Sequence, residues 1–92
     1  MPEREVTIVN KLGLHARAAA KLVTLATQYP CEVRVARAGA NGREVSGKSI
    51  MGVMMLAAGQ GSRIRLIAEG EGAEQALSAL ADLINRRFDE EA

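Results

Sequence analysis

His15 is the only histidine in the sequence, and it stands between a Gly13-Leu14 break and a run of helix formers that begins at Ala16. A helix start leaves backbone N–H groups without intrahelical acceptors and carries a partial positive charge. That setting disfavours a protonated imidazole and leaves a ring nitrogen free to act as a nucleophile. A phosphoryl group taken up there would meet the backbone donors of Ala16, Arg17 and Ala18, which together form an anion site. Arg17 places a cation where the helix dipole opposes one, but its guanidinium is shaped to hold two phosphate oxygens. The plainer alternatives are a capping histidine and a solvated arginine. The pairing of the two residues favours phosphate chemistry over both.

A second pattern, Gly42-Arg43-Glu44-Val45-Ser46-Gly47-Lys48-Ser49, matches the nucleotide-binding motif G-x-x-x-x-G-K-[ST] letter for letter. Such a loop must follow a buried strand of a parallel sheet, whereas Val33 to Arg37 is half polar and Gly39 to Gly42 already reads as a turn. The match is therefore read as coincidence. The stretch Ile50-Met51-Gly52-Val53-Met54-Met55-Leu56 holds three of the four methionines. Core packing is the ordinary use of such residues. A short helix cannot bury all its faces, so Ile50, Met51 and Met54 are candidates for an adaptable apolar docking patch.

The elements that must position these residues follow from periodicity. Glu3 to Val9 alternates as a half-buried strand, and Ala16 to Gln28 has helical spacing at Ala19, Leu22, Val23 and Ala26, ending before Pro30. Glu32 to Ala36 alternates again, and the turn Gly39-Ala40-Asn41-Gly42 leads to a short strand around Val45. Lys48 to Ala58 reads as a short helix and Ser62 to Glu69 as a fourth strand. Gly70-Glu71-Gly72 opens a last helix whose apolar stripe is Ala73, Leu77, Leu80, Ala81, Ile84 and Phe88. Glu71 and Glu74 fall at its start and Arg86 and Arg87 near its end, as a helix dipole favours. The order predicts an α+β open-faced sandwich: a four-stranded, mostly antiparallel sheet with two long helices and one short helix on one face.

Ninety-two residues with 48% hydrophobic and 25% charged side chains fit one soluble domain spanning residues 1–92. A net charge of +1 without a basic stripe, no Trp, one Tyr and one Phe disfavour nucleic-acid binding. Cys31 is the only cysteine, which excludes an internal disulfide, and no Cys and His pair has zinc-site spacing. Neither a signal peptide nor a run approaching eighteen apolar residues is present, so a cytoplasmic, reducing location is expected. No cofactor and no membrane insertion are expected.

Gly13-Leu14-His15-Ala16-Arg17-Ala18-Ala19-Ala20-Lys21-Leu22-Val23 resembles the phosphohistidine motif of the HPr family, the histidine-containing phosphocarriers of the bacterial phosphotransferase system. Lys48-Ser49-Ile50-Met51-Gly52-Val53-Met54 resembles the regulatory-serine segment of that family. The resemblance runs from Glu5 to about Leu83. It implies that His15 receives a phosphoryl group through Nδ1 from phospho-enzyme I, charged from phosphoenolpyruvate, and passes it to a IIA-type acceptor protein. Arg17 and the backbone of Ala16 and Ala18 would steady the phosphoryl group. Ser49 matches the serine modified by an HPr kinase/phosphorylase in some bacteria. Ala16, Ala20, Lys21, Ile50, Met51 and Met54 match the partner-docking surface.

The resemblance further implies a carrier rather than an enzyme, and a monomer. Two features depart from many members. Ala18 stands where proline is common, and the turn from Arg37 to Glu44 is longer than usual. Asn10-Lys11-Leu12-Gly13 and Asn85-Arg86-Arg87-Phe88-Asp89-Glu90-Glu91 are similar to NPr, the nitrogen-related branch, so a regulatory relay without sugar transport stands as one alternative. A ferredoxin-like small-molecule module, with the same order of elements, stands as another.

Overall fold

The computed structural model describes residues 2–39 and 43–90. In chain order they form β1 (Glu3–Thr7), α1 (Ala16–Ala26), β2 (Glu32–Arg37), β3 (Glu44–Ser46), α2 (Ile50–Met54), β4 (Arg63–Glu69) and α3 (Ala73–Asn85), followed by a short 3₁₀ turn, Arg87–Asp89. The sheet has four strands in the order β1-β4-β2-β3. Each neighbouring pair is antiparallel. The expected α+β open-faced sandwich is therefore the observed one.

Strand alternation decides which side chains meet the helices. Val6 lies opposite Ile64 and Val35 opposite Leu66, so these residues share one face. They join Val33, Ala68, Leu22, Leu77, Leu80, Ile84 and Phe88 in a single buried cluster. The other sheet face is laced with charge pairs: Arg34 bridges to Glu32, Glu44 and Glu69, and Arg65 bridges to Glu44. Buried Ile67 lies on that face, opposite Arg34.

Several element ends differ from expectation, each for a local reason. β1 stops at Thr7, although Ile8 still pairs with the chain through Ser62 O and Gly61 N, both at 2.8 Å. α1 ends at Ala26 rather than Gln28, because Thr27 caps it and turns its hydroxyl back to Thr24 O at 2.8 Å. α2 covers only Ile50–Met54, since Ser49 caps its start and Ala57, at φ 51°, lies beyond its end. Arg37 closes that end, its guanidinium donating to the carbonyls of Leu56 and Ala57 at 3.2 Å each.

The largest correction concerns the end of α3. Phe88 is not on the helical stripe: the helix stops at Asn85, and Arg87, Phe88 and Asp89 all have left-handed φ, between 54° and 62°. Phe88 reaches the core from this reversed turn and is fully buried. The expected dipole pattern also changes. Glu71 precedes the helix, whose left-handed start is Gly72, and only Glu74 lies in its first turn. Arg86 sits at the C-cap and Arg87 beyond it, and Arg86 binds Asp82 at 2.6 Å and Asp89 at 3.1 Å.

Over its described residues, Arg43 to Ser49, the nucleotide-motif look-alike does not have the geometry of a nucleotide-binding loop. Its middle is β3, an edge strand antiparallel to β2, and buried Gly47 donates to Val33 O at 2.7 Å. Lys48 spends its ammonium on Tyr29 O at 2.8 Å. Ala40, Asn41 and Gly42, where the turn was expected and the motif begins, lie outside the described residues.

Candidate functional site

The path into α1 is built by a glycine that cannot be replaced without strain. Gly13 has φ +68°, and a Cβ there would lie 2.6 Å from Ala58 O and 2.7 Å from Gly59 Cα. This close approach lets Leu14 N donate to Ala58 O at 2.9 Å and seats the Leu14 side chain in the core. With Leu14 anchored, His15 takes an extended backbone (φ −72°, ψ 177°) and becomes the N-cap of α1. Its Nδ1 accepts the Arg17 N–H at 3.3 Å, the work ordinarily done by a serine or aspartate oxygen. The Nδ1 lone pair therefore points into the donor-rich helix start.

The opposite ring nitrogen meets a residue from the far end of the chain. Nε2 of His15 is hydrogen-bonded to Glu90 Oε2, with 27% of the histidine side chain and 16% of the glutamate side chain exposed. A carboxylate accepts, so Nε2 is the donor and Nδ1 is the unprotonated nitrogen, its lone pair on the Arg17 N–H. Glu90 is itself held by Asn10, whose Nδ2 donates to Glu90 Oε1 at 3.0 Å and to Gly13 O at 2.8 Å. Asn10 is the only fully buried polar residue among those described. Both of its partners are acceptors, which fixes which way its amide points. Burial works to raise the Glu90 carboxyl, but hydrogen bonds from Asn10 and His15, with the charges of His15 and Lys21, outweigh it and hold the carboxyl below its ordinary range.

Lys11, Leu12, His15, Ala16, Arg17 and Glu90 line one open hollow of about 670 Å³. Arg17 is exposed at its rim, and its guanidinium makes no ion pair among the described residues. Ala16 is exposed, whereas the Ala18 side chain is buried, so Ala18 can offer the hollow only its N–H. Ala20 is half-buried. Lys21 is half-buried too, and its Nζ donates to Phe88 O at 2.6 Å.

The residues of α2 stand apart from this hollow. Ser49 is the N-cap of α2, its Oγ accepting Gly52 N–H at 3.1 Å. Ile50 (43%), Met51 (71%) and Met54 (38%) are exposed, and α2 packs beside α1. Leu12 (67%) and Met55 (65%) extend the exposed apolar surface beyond the residues that the sequence singled out. Glu90 and Asn10 were likewise missed as site residues. Neither shows a local spacing signal, and only the reversed turn at Arg87–Asp89 brings Glu90 to His15.

The chain is thus a small open-faced α+β sandwich in which His15 caps the start of α1 and turns its Nδ1 toward the first-turn N–H groups. A family model described as the PTS HPr component phosphorylation site matches residues 2–86. The chain belongs to the HPr family of phosphocarrier proteins of the phosphotransferase system. It is 61% identical over 90 residues to the phosphocarrier protein HPr of Pseudomonas aeruginosa, covering 98% of each chain. It is also 43% identical over 88 residues to the phosphocarrier protein NPr of Shewanella violacea, covering 96% of this chain and 93% of that one. The crystal structure of HPr-C-His from Thermoanaerobacter tengcongensis superposes with a TM-score of 0.90 at 42% identity, covering all of both chains. Among the described residues, no helix is long and apolar enough to cross a membrane.

Proposed function

We propose that this protein carries a phosphoryl group on Nδ1 of His15, taking it from phospho-enzyme I and handing it to a IIA-type acceptor protein. The observation that carries this reading is the orientation of the ring, with the Nδ1 lone pair at the start of α1 and the Nε2 proton on Glu90. In the accepting step the Nδ1 pair attacks phosphorus and forms the N–P bond, while the bond to the donor breaks and its electron pair leaves with the donor. The phosphoryl oxygens then meet the first-turn N–H groups of Ala16, Arg17 and Ala18, which have no intrahelical acceptor, and the Arg17 guanidinium. In the donating step a nucleophile of the acceptor protein bonds to phosphorus while the N–P bond breaks and its electron pair returns to Nδ1. The chain needs no metal of its own, because the phosphate arrives already activated.

Ala16, Ala20, Ile50, Met51 and Met54 form the docking surface in this reading, with Lys21 at its edge. Ser49 is its regulatory position, where a phosphate would add charge beside the apolar patch. HPr and NPr relatives are both present, so sugar uptake and a nitrogen-related regulatory relay are the two settings in which the same chemistry would serve. Family membership leaves the ferredoxin-like module without support.

The test is transfer from phosphoenolpyruvate through enzyme I, followed by intact mass. One added acid-labile phosphate, lost in His15→Ala, is the expected result. No phosphate from either the sugar-branch or the nitrogen-branch enzyme I would contradict the reading.

A further inference from the structure

The segment Arg87–Glu90 is held against α1 and the loop before it by four contacts. Phe88 is buried in the core from a left-handed turn, Lys21 Nζ holds its carbonyl at 2.6 Å, Asn10 Nδ2 reaches Glu90 Oε1 at 3.0 Å, and Glu90 Oε2 receives His15 Nε2. Three successive non-glycine residues with positive φ carry a backbone cost that ordinary tail packing does not require. What that conformation achieves is delivery of one carboxylate to the far nitrogen of the histidine. The groups facing that carboxylate from neighbouring elements are Asn10, His15 and Lys21, with Lys11 and Arg17 around the same hollow.

We propose that Glu90 is a positioning residue for phosphoryl transfer, holding His15 as the Nε2–H tautomer and retaining that proton while Nδ1 carries the phosphoryl group. This rests on the reading of His15 as the carrier. When Nδ1 bonds to phosphorus, the ring with its Nε2 proton becomes cationic, and the Glu90 carboxylate lies beside the charge. When the group is handed on, the N–P bond breaks, its pair returns to Nδ1, and a neutral imidazole departs with the Nε2 proton unmoved. Without that proton the leaving group would be an imidazolate, which is far poorer. A carboxylate plays the corresponding part behind the histidine of hydrolytic triads.

The test uses the full chain with ring-¹⁵N histidine, as wild type, Glu90→Ala and Glu90→Gln. Glutamine replaces one carboxylate oxygen with an NH2 donor, so either Asn10 Nδ2 or His15 Nε2 would face a donor where Glu90 gives each an acceptor. Nitrogen shifts of the unphosphorylated wild type should show the Nε2–H tautomer, and both variants should move toward a tautomer mixture. Transfer to the acceptor should slow about ten-fold in Glu90→Ala, by analogy with the low end of the loss on removing the partner of a metal-ligating histidine's far nitrogen. The loss should deepen as pH rises, since no carboxylate then retains the Nε2 proton of the phosphorylated ring. A tail that only braces the fold would lower the melting temperature and leave the nitrogen shifts and the pH profile unchanged, which would overturn the proposal. Failure of the carrier reading would appear in the wild type itself, as absence of phosphate on His15. Failure of this inference would appear only as variants that match a phosphorylated wild type.

Discussion

Asn10 Nδ2 lies 3.0 Å from Glu90 Oε1, a contact between residues 80 positions apart that ties the loop before α1 to the segment after α3. The same amide donates to Gly13 O, so one buried side chain fixes both the glycine turn and the carboxylate behind His15.

Asn10→Ala should therefore destabilise the protein by roughly 1 to 3 kcal/mol, because the buried Gly13 carbonyl loses its donor and Glu90 loses its brace. Asn10→Asp should cost more, since it sets a second carboxylate against two acceptors. Urea unfolding of the two variants checks the order, and equal midpoints for wild type and Asn10→Ala would show that the amide holds nothing.

Gly13→Ala should be among the most damaging single-methyl changes. Its Cβ would fall 2.6 Å from the Ala58 carbonyl at a backbone with φ +68°, so either the turn or the Leu14–Ala58 bond must move. A loss of about 1 to 3 kcal/mol is expected, with shifts of the α1 amide resonances around His15 in a ¹H–¹⁵N spectrum.

The Glu90 carboxyl should titrate below the ordinary glutamate value of about 4.3. The bonds from Asn10 and His15 outweigh its partial burial, so its folded-state value is lowered. The stabilisation it gives is fully present above the ordinary value and is lost as pH falls through the lowered one. The stability difference between wild type and Glu90→Gln should accordingly shrink on acidification below about 4.3. Carboxyl ¹³C titration reads the value directly, and a midpoint at or above the ordinary value would contradict the assignment.

Ser49 supports α2 by capping Gly52, whatever its regulatory part. Ser49→Ala should cost about 1 kcal/mol, whereas Ser49→Asp should keep the cap and add a charge beside exposed Ile50 and Met51. If those residues form the docking face, Ser49→Asp folds as well as wild type but slows phosphoryl transfer from enzyme I. Unchanged transfer kinetics would remove α2 from that face.

Much of the fold was legible because its signals are periodic. Val6, Val33, Val35, Ile64 and Leu66 alternate, and Leu22, Val23 and Ala26 keep helical spacing, so strand and helix order followed from the chain. His15 and Arg17 were legible because their chemistry is local: a nucleophile and a guanidinium at a helix start. The spacing of Phe88 from Ile84 fits a helical stripe, and nothing in Arg86-Arg87-Phe88-Asp89 announces a left-handed turn without glycine. Glu90 and Asn10 depend on that turn, so their meeting with His15 is a tertiary fact with no spacing to betray it. Leu12 reads in the sequence only as part of a break, whereas the structure leaves it exposed beside His15.

The most direct measurement is the site of the phosphate within the His15 ring. After phosphorylation through enzyme I, long-range ¹H–¹⁵N NMR with ³¹P coupling distinguishes the two nitrogens. The account predicts phosphorus on Nδ1 with Nε2 still protonated. Phosphorus on Nε2, the nitrogen that Glu90 occupies, or on any residue other than His15, would contradict it.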